Sequence, residues 1–303
     1  MGAEFDKADE KPLVSLILVT ANRADYLVDV VDAIQAQRER SWEMIAVDCA
    51  SLDNTLGFLE ARAANDARIR VFSIEETDKG IGRRMALTKA RGRYLAFPDA
   101  NSLWSSEFLS CLVPVFDHAP ENTGIVYAAT EVLGGDGDIS KTLPEKLRHG
   151  AMVCELFEKP QLPLSALMVR RNLLKPLHKT GMRVWLSNDH ALLIWMVYKA
   201  PTEPGGAMAL ARIRPIDGML PAYLDPVSKA RGDALTHALE NLPRVVPARF
   251  ARRCLASFYR ARSRALAVKN ERGEAFTAAM YALMYRPLWP AAWRHFLRIM
   301  LKN

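Results

Sequence analysis

RYLAFPDANSLW, residues 93–104, is the stretch of this 303-residue chain from which the fold can be read. Its apolar run, Tyr94 to Phe97, is typical of a buried strand, and Asp99 and Asn101 follow where that strand ends. Ligands of open α/β sheets bind at the carboxyl ends of the strands. Asp99 is therefore expected to hold a ligand.

Strands and helices alternate along the first hundred residues. The run LVSLILVT, residues 13–20, is almost continuously apolar, as expected for a strand buried on both faces. The predicted order is strand 13–20, helix 25–38, strand 42–48, helix 53–64, strand 69–74, helix 81–90 and strand 94–97. Such alternation predicts an α/β fold with a mostly parallel central sheet and flanking helices.

The pattern loosens after Trp104. The predicted elements are helix 107–116, strand 124–130, loop 134–140, strand 165–169, helix 188–198, a break at 201–206 and an edge strand at 208–213. From residue 233 onward the pattern is helical, with breaks near prolines and Gly273. We therefore expect three parts: a disordered tail, 1–11; a main domain, 12–225; and a helical extension, 226–303.

The composition is that of an ordinary globular protein, with 50% hydrophobic and 25% charged residues. The longest apolar stretches, such as 191–198, fall far short of the roughly 20 residues that span a bilayer. Residues 1–11 have no apolar core and do not resemble a signal peptide. The four cysteines lack CxxC spacing, which indicates neither a zinc site nor a disulfide framework and favours a cytoplasmic setting.

Four segments resemble, in order, the motifs of family 2 glycosyltransferases, which have the GT-A fold. They are VSLILVTANRADYL (14–27), AVDCASLDNT (46–55), the run from DKGIGR (78–83) through ARGRY (90–94) into the Asp99 segment, and LSNDHAL (186–192). The resemblance implies that residues 12–110 bind a nucleotide-sugar and that residues 111–225 bind the acceptor. It further implies inverting transfer of a sugar to a cell-surface glycan or a lipid-linked acceptor.

The resemblance also assigns the candidate site residues. Asp189 would be the general base, since inverting transfer needs a carboxylate that removes the acceptor hydroxyl proton. Trp104 and His190 would contact the acceptor. The donor would be bound by Thr20, Asn22, Asp48, Arg83, Arg84, Asp99 and Asn101.

Structural roles remain open for two of these carboxylates. Asp48 would accept the imide N–H of a base such as uracil, but turn chemistry alone would also explain an Asp there. Any of Ser187, Asn188 and Asp189 could cap the helix that follows.

The chain departs from the family where metal chemistry would sit. Asn101 replaces the second Asp of the Asp-x-Asp motif, Cys49 replaces the second Asp of the base-binding motif, and an Arg-x-His motif is not evident at 213–217. An amide oxygen brings no charge, so Asn101 with Asp99 would hold a divalent cation, Mn²⁺ or Mg²⁺, only weakly.

Two arginines offer a compensation for this loss. Arg83 or Arg84 would take over some of the metal's role on the diphosphate, unless these arginines only form a solvated helix face. The competing hypothesis is a GT-A-like binding or scaffold protein that has lost transfer.

The last sixty residues are strongly basic. Residues 244–303 contain thirteen Lys or Arg and two acidic residues, Glu271 and Glu274. The helical stripes at 250–260 and 287–301 combine apolar residues and tryptophans with arginines, which suits an anionic membrane surface on the cytoplasmic side. Alternatively, these stripes pack on the main domain. Nucleic acid is not an expected partner, because no recognition motif accompanies the charge.

Overall fold

Nine strands form one sheet in the computed structural model, which describes residues 11–134, 136–178, 182–216 and 225–301. The strands are β1 Val14–Thr20, β2 Trp42–Cys49, β3 Ile69–Ile74, β4 Tyr94–Ala96, β5 Ser102–Trp104, β6 Ile125–Leu133, β7 Ile139–Leu143, β8 Leu167–Arg170 and β9 Thr202–Ile213. Their order is β3-β2-β1-β4-β8-β6-β9-β5, and β7 pairs with β6. The predicted tail lies outside the described residues except for Lys11.

Thirteen α-helices accompany the sheet in these ranges. They are α1 Ala24–Gln35, α2 Thr55–Asn65, α3 Lys79–Lys89, α4 Phe108–Leu112, α5 Val115–His118, α6 Val153–Glu158, α7 Arg171–Leu174, α8 Arg183–Ser187, α9 Asp189–Lys199, α10 Lys229–Asn241, α11 Ala248–Val268, α12 Arg272–Tyr285 and α13 Pro290–Leu301. Within the described part of the chain, none of them has both the length and the apolar character needed to cross a bilayer.

The first four strands in chain order run parallel, as their apolar sequences predict. Successive side chains of a strand point to opposite faces, so a doubly buried strand supplies two cores. Leu16 packs on the same side as α1 residue Val30, whereas Ile17 packs on the side that α9 residue Leu192 covers. The predicted fold class is therefore built from one continuous sheet between two helical layers.

A buried carboxylate fixes the register at the amino edge of this sheet. Glu43 is 2% exposed and accepts hydrogen bonds from Ser15 Oγ at 2.7 Å, from the backbone N–H of Arg91 at 2.7 Å and from Arg91 Nε at 3.0 Å. Burial alone would raise the pKa of Glu43, but these hydrogen bonds hold the pKa below its ordinary value. Glu43 thus joins β1 and β2 to the turn that precedes β4.

The strand predicted at 208–213 is present, but it is not an edge strand. Strand β9 begins at Thr202 and lies inside the sheet, between β6 and β5. Its pairing with β6 shifts register near Ala129, which accommodates the Pro and Gly residues that were read as a break. A side chain at Gly205 would lie 2.1 Å from Leu112 Cδ2, so this glycine permits close approach of α4.

The helical extension consists of two different parts. Residues Leu235, Leu255 and Phe258, from α10 and α11, belong to the same core cluster as α9. By contrast, α12 packs on α11 through a small cluster that includes Leu266, and on α13 through a second small cluster. The packing interpretation therefore holds for the 250–260 stripe, whose apolar face points inward.

Asp66, just after α2, forms hydrogen bonds with α1 and with the turn that leads into β3. Its carboxylate accepts from Arg68 Nε at 2.9 Å, Arg68 Nη2 at 2.8 Å and Gln35 Nε2 at 3.1 Å. The Arg68 guanidinium lies 3.8 Å from the centre of the Trp42 ring. The bonds from Arg68, more than the opposing effect of burial, lower the pKa of Asp66 to about 2.

We predict that Asp66→Asn lowers the free energy of unfolding by about 2 kcal/mol at neutral pH. The folded pKa lies below the unfolded value of 3.8, so this contribution is complete above that pH and fades as pH falls toward 2. Urea denaturation at several pH values measures it. Glu145→Gln, in an exposed pair with Lys159, is the matched control and should cost less than about 0.5 kcal/mol. A loss that stays constant down to pH 3 would contradict the assignment.

Candidate active site

The candidate site begins where β1 and β2 end side by side. Thr20 and Asp48 are paired in the parallel register and are 3% and 2% exposed. The Asp48 carboxylate accepts hydrogen bonds from the backbone N–H of Ser51 at 3.1 Å and from the Ser51 hydroxyl. Thr20 Oγ1 is buried without a hydrogen-bond partner in the described ranges. A buried hydroxyl without a partner is rare in native proteins and is consistent with a ligand-binding edge.

The two loops that leave these strands are interlocked. The Asn22 N–H donates to Ser51 Oγ at 2.9 Å, and Asn22 Oδ1 accepts from the Leu52 N–H at 2.7 Å. Asn22 and Ala50 have φ values of 53° and 52°, in the left-handed region that costs a non-glycine residue about 1 kcal/mol. Such strain concentrates at functional sites. The side-chain oxygen of Asn22 holds the neighbouring loop, and its role as a donor ligand stays a prediction.

Cys49, in contrast, faces away from this edge. It is fully buried, and a side chain at Gly82 of α3 would lie 2.8 Å from its sulfur. Burial, with the negative charge of Asp48 adding to it, raises the pKa of the Cys49 thiol to about 11. Cys49 therefore packs under α3, and in this chain the position supplies no group to a ligand.

Asp99 and Asn101 form a tight turn between β4 and β5. Asp99 Oδ1 accepts from the Asn101 N–H at 2.9 Å, while Asn101 Nδ2 donates to the Arg214 carbonyl at 3.1 Å. The same region brings the Arg214 N–H to the Asn101 carbonyl at 2.9 Å. Both predicted residues thus lie together, and Arg214, which directly follows β9, holds Asn101 by two hydrogen bonds.

The fit of a divalent cation to this turn can be judged from the available ligands. The turn offers one carboxylate and one uncharged amide oxygen, and hard cations prefer six or more oxygen ligands. No group of three His, Cys, Asp or Glu side chains comes close enough to hold a metal in the described segments. These residues alone do not make a metal site.

Helix α3 brings its first turn to α8. Asp78 caps α3 by accepting the Gly80 N–H at 2.6 Å and also accepts the Ser187 hydroxyl at 2.9 Å. A side chain at Gly80 would lie 2.1 Å from Ser187 Oγ, so only glycine allows this approach. The start of α3 is thereby joined to the segment that leads into α9.

Arg83 uses this closeness to reach Asp189. Its guanidinium is 6% exposed and donates from Nη2 to Asp189 Oδ1 and from Nη1 to the Leu186 carbonyl. Arg83 was predicted to face the donor diphosphate; the structure instead commits its charge to Asp189. Arg84, the next residue, is exposed.

Asp189 is not needed to cap α9. That role belongs to Asn188, whose Oδ1 accepts the N–H groups of His190 and Ala191 at 3.0 and 3.2 Å. The Asp189 side chain is 24% exposed, and its burial alone would raise the pKa, but the charges of Arg83 and Lys79 hold the pKa below its ordinary value. Asp189 is therefore ionised at neutral pH, with one oxygen held by Arg83.

Two predicted acceptor residues are corrected by the structure. Trp104 is 6% exposed, stacks on Phe108 at 4.1 Å and donates from Nε1 to the Ser165 carbonyl at 2.8 Å. His190 is 2% exposed, and burial lowers its pKa to about 3. Consecutive helical residues are about 100° apart around the axis, so His190 points into the core while Asp189 points to the edge.

The part that Ser51 plays in the site was not predicted. Its hydroxyl donates to the Asp48 carboxylate and accepts from the Asn22 N–H. Its position three residues after Asp48 is typical of turns in which an Asp side chain accepts from nearby backbone groups, and that spacing could have revealed it.

Comparisons with known proteins agree with this geometry. The profile of Glycosyl transferase family 2 matches residues 15–177. The putative teichuronic acid biosynthesis glycosyltransferase TuaG of Bacillus subtilis is 40% identical over 100 residues, which cover 33% of this chain and 40% of TuaG. The Escherichia coli enzyme WfgD, a UDP-Glc:alpha-D-GlcNAc-diphosphoundecaprenol beta-1,3-glucosyltransferase, is 25% identical over 182 residues, or 58% of this chain and 69% of WfgD.

Solved structures show the same fold. Residues 1–349 of TarS from S. aureus, in complex with UDP-GlcNAc, superpose with a TM-score of 0.67 at 17% identity, covering 94% of this chain and 88% of that one. The mannosyltransferase PcManGT from Pyrobaculum calidifontis, in complex with GDP-Man and Mn²⁺, gives a TM-score of 0.54 at 19% identity, covering 97% and 88%. The predicted GT-A fold is confirmed, and with the profile matching more than half of its length, the chain belongs to glycosyl transferase family 2.

Proposed function

We propose that this protein is an inverting glycosyltransferase that moves a sugar from a nucleotide-diphosphate donor to a cell-surface glycan or lipid-linked acceptor. The observation that carries the proposal is Asp189. Its carboxylate is ionised, partly exposed and not used for capping, and Arg83 holds it at the side of the sheet where Asp48 ends β2.

The donor is proposed to lie along the carboxyl ends of β1, β2 and β4. Asp48 would accept the imide N–H of the base, and the buried Thr20 hydroxyl lies beside it. Asp99 would bind the ribose or the sugar, with Asn101 next to it. Arg84 replaces Arg83 as the candidate cation for the diphosphate, because Arg83 is already paired.

Asp189 would remove the proton from the acceptor hydroxyl. As that oxygen bonds to the anomeric carbon, the bond from the anomeric carbon to the diphosphate oxygen breaks on the opposite face. The nucleotide diphosphate leaves with the electron pair, and the proton stays on Asp189. The low pKa of Asp189 keeps it able to accept a proton across the physiological range.

The acceptor class is proposed from the relatives. TuaG is named for teichuronic acid biosynthesis, and WfgD acts on a diphosphoundecaprenol-linked sugar. A glycan or lipid-linked acceptor of this kind places the reaction at the cytoplasmic face of a membrane.

The donor site is tested by calorimetric titration of the protein with UDP, GDP and dTDP, each with and without Mn²⁺. We expect one nucleotide to bind, and we expect Asp48→Asn to weaken its binding at least about tenfold because a charged hydrogen bond is lost. Cys49→Ala should change the affinity less than about twofold, since Cys49 is a packing residue, and Asn101→Asp should increase the effect of Mn²⁺. If none of the three nucleotides binds, the proposed donor site is refuted.

The general base is tested with Asp189→Asn in a transfer assay with the donor that calorimetry identifies. We expect kcat to fall by about 10²- to 10⁴-fold while nucleotide affinity stays unchanged, because only proton removal is lost. Asp233→Asn is the control: the same substitution at an exposed carboxylate of α10 should retain most of the activity. Full transfer activity in Asp189→Asn would assign the role elsewhere.

The pH dependence of kcat/KM tests the ion pair separately. Arg83→Met leaves Asp189 partly buried without its partner, which raises its pKa, so the acidic limb should move to higher pH by about one unit or more. Arg83→Lys keeps the charge and should move the limb less. An acidic limb at the same pH in Arg83→Met and the wild type would show that Arg83 does not tune Asp189.

A further inference from the structure

Large apolar side chains on the outer surface of α12 and α13 are exposed, and no other part of the described protein covers them. Met280 and Met284 of α12 are 49% and 60% exposed, and Trp293, Leu297 and Met300 of α13 are 45%, 48% and 48% exposed. Positions 293, 297 and 300 fall on one helical face, as do 280 and 284. We refer to these five residues as the α12–α13 face.

The helical hairpin does not need this face for its own packing. Ala279, Leu283, Ala292 and Phe296 fill the seam between the two helices. Trp293 meets the edge of the Phe296 ring at 5.9 Å, and its indole N–H is satisfied by the Pro287 carbonyl at 2.6 Å. The rest of the Trp293 ring is therefore apolar surface at the margin of the seam.

The charge around the face has one sign. From Ala275 to Leu301 the sequence contains no Asp or Glu, whereas Arg286, Arg294 and Arg298 are all exposed. Arg286 and a fourth arginine, Arg260 of α11, lie with their guanidiniums 5.0 and 4.4 Å from the centre of the Trp289 ring.

We propose that the α12–α13 face docks the protein on an anionic lipid bilayer. The apolar side chains would enter the boundary between headgroups and acyl chains, and the arginines would pair with the negative headgroups. A second copy of the chain suits this face less well, because joining two such faces would bring arginines together. The inference rests on the proposed function only in that docking would bring the active site to a lipid-linked acceptor.

The test is flotation of the full chain with two kinds of vesicle, pure phosphatidylcholine and phosphatidylcholine with about one third phosphatidylglycerol. We expect binding to the anionic vesicles at least about tenfold tighter than to the neutral ones, and weaker at high salt. The double variant Met284→Glu/Leu297→Glu should reduce binding to the anionic vesicles by at least about tenfold.

The matched control is Ile139→Glu/Met208→Glu, which adds the same two negative charges at residues of β7 and β9 that are 55% and 56% exposed and distant in sequence from the face. It should leave vesicle binding unchanged, and thermal unfolding should confirm that both variants are folded. The proposal is overturned if the wild type does not float with anionic vesicles, or if the double variant floats as well as the wild type. It is equally overturned if light scattering shows a dimer that the double variant abolishes.

Neither donor nor acceptor is present in the flotation experiment. Its failure would leave the transfer reaction to be judged by Asp189→Asn alone, and a failure of the transfer assay would leave the vesicle result standing.

Discussion

Arg83 reaches from α3 to Asp189 at the start of α9, and this buried ion pair joins the first part of the domain, 12–110, to the part that follows it. A buried guanidinium is tolerable only when its charge is matched and its N–H groups are bonded, and Asp189 and the Leu186 carbonyl provide both. The carboxylate in turn is kept charged in a partly buried place, because desolvation would otherwise favour its protonation. Two glycines of α3 allow the close approach that this ion pair requires. Gly80 lets α3 approach Ser187, and Gly82 lets α3 lie flat on the ends of β1 and β2 above Cys49.

Buried polar atoms without a hydrogen-bond partner in the described ranges occur at both edges of the sheet, and Trp42 Nε1 and Tyr94 Oη lie at the amino edge. At the amino edge, Glu43 is surrounded by donors and closes the register of β1 and β2. At the carboxyl edge, Thr20 Oγ1 is buried without a partner and two neighbouring residues have left-handed backbone. The two edges are thus distinguished by the Glu43 hydrogen bonds at one and by the left-handed backbone at the other.

The sequence predicted the first half of the fold well, because a strand such as 13–20 that is buried on both faces leaves an unmistakable apolar run. The sequence did not predict strand β5, the first half of β9 or the position of β9 inside the sheet. Local patterns report what a residue prefers, and the Pro and Gly residues of β9 are tolerated only because β6 shifts register and Leu112 fills the space beside Gly205. For the site, motifs singled out Asp48, Asp99 and Asp189 as candidates, but motifs do not reveal which way a side chain points. His190, one residue after Asp189, and Cys49, one residue after Asp48, are both buried in the interior. The partner of Arg83 is 106 residues away in sequence, and only the tertiary fold brings the two together.

The side-chain amide of Asn188 donates to the Ala230 carbonyl, in the first turn of α10, at 2.7 Å while its oxygen caps α9. A residue adjacent to the proposed base is therefore clamped from the C-terminal extension. The extension, although separable in sequence at residue 226, thus shares a hydrogen bond with the residue that caps α9. Removing it would take away a contact that orients Asn188, one residue before Asp189.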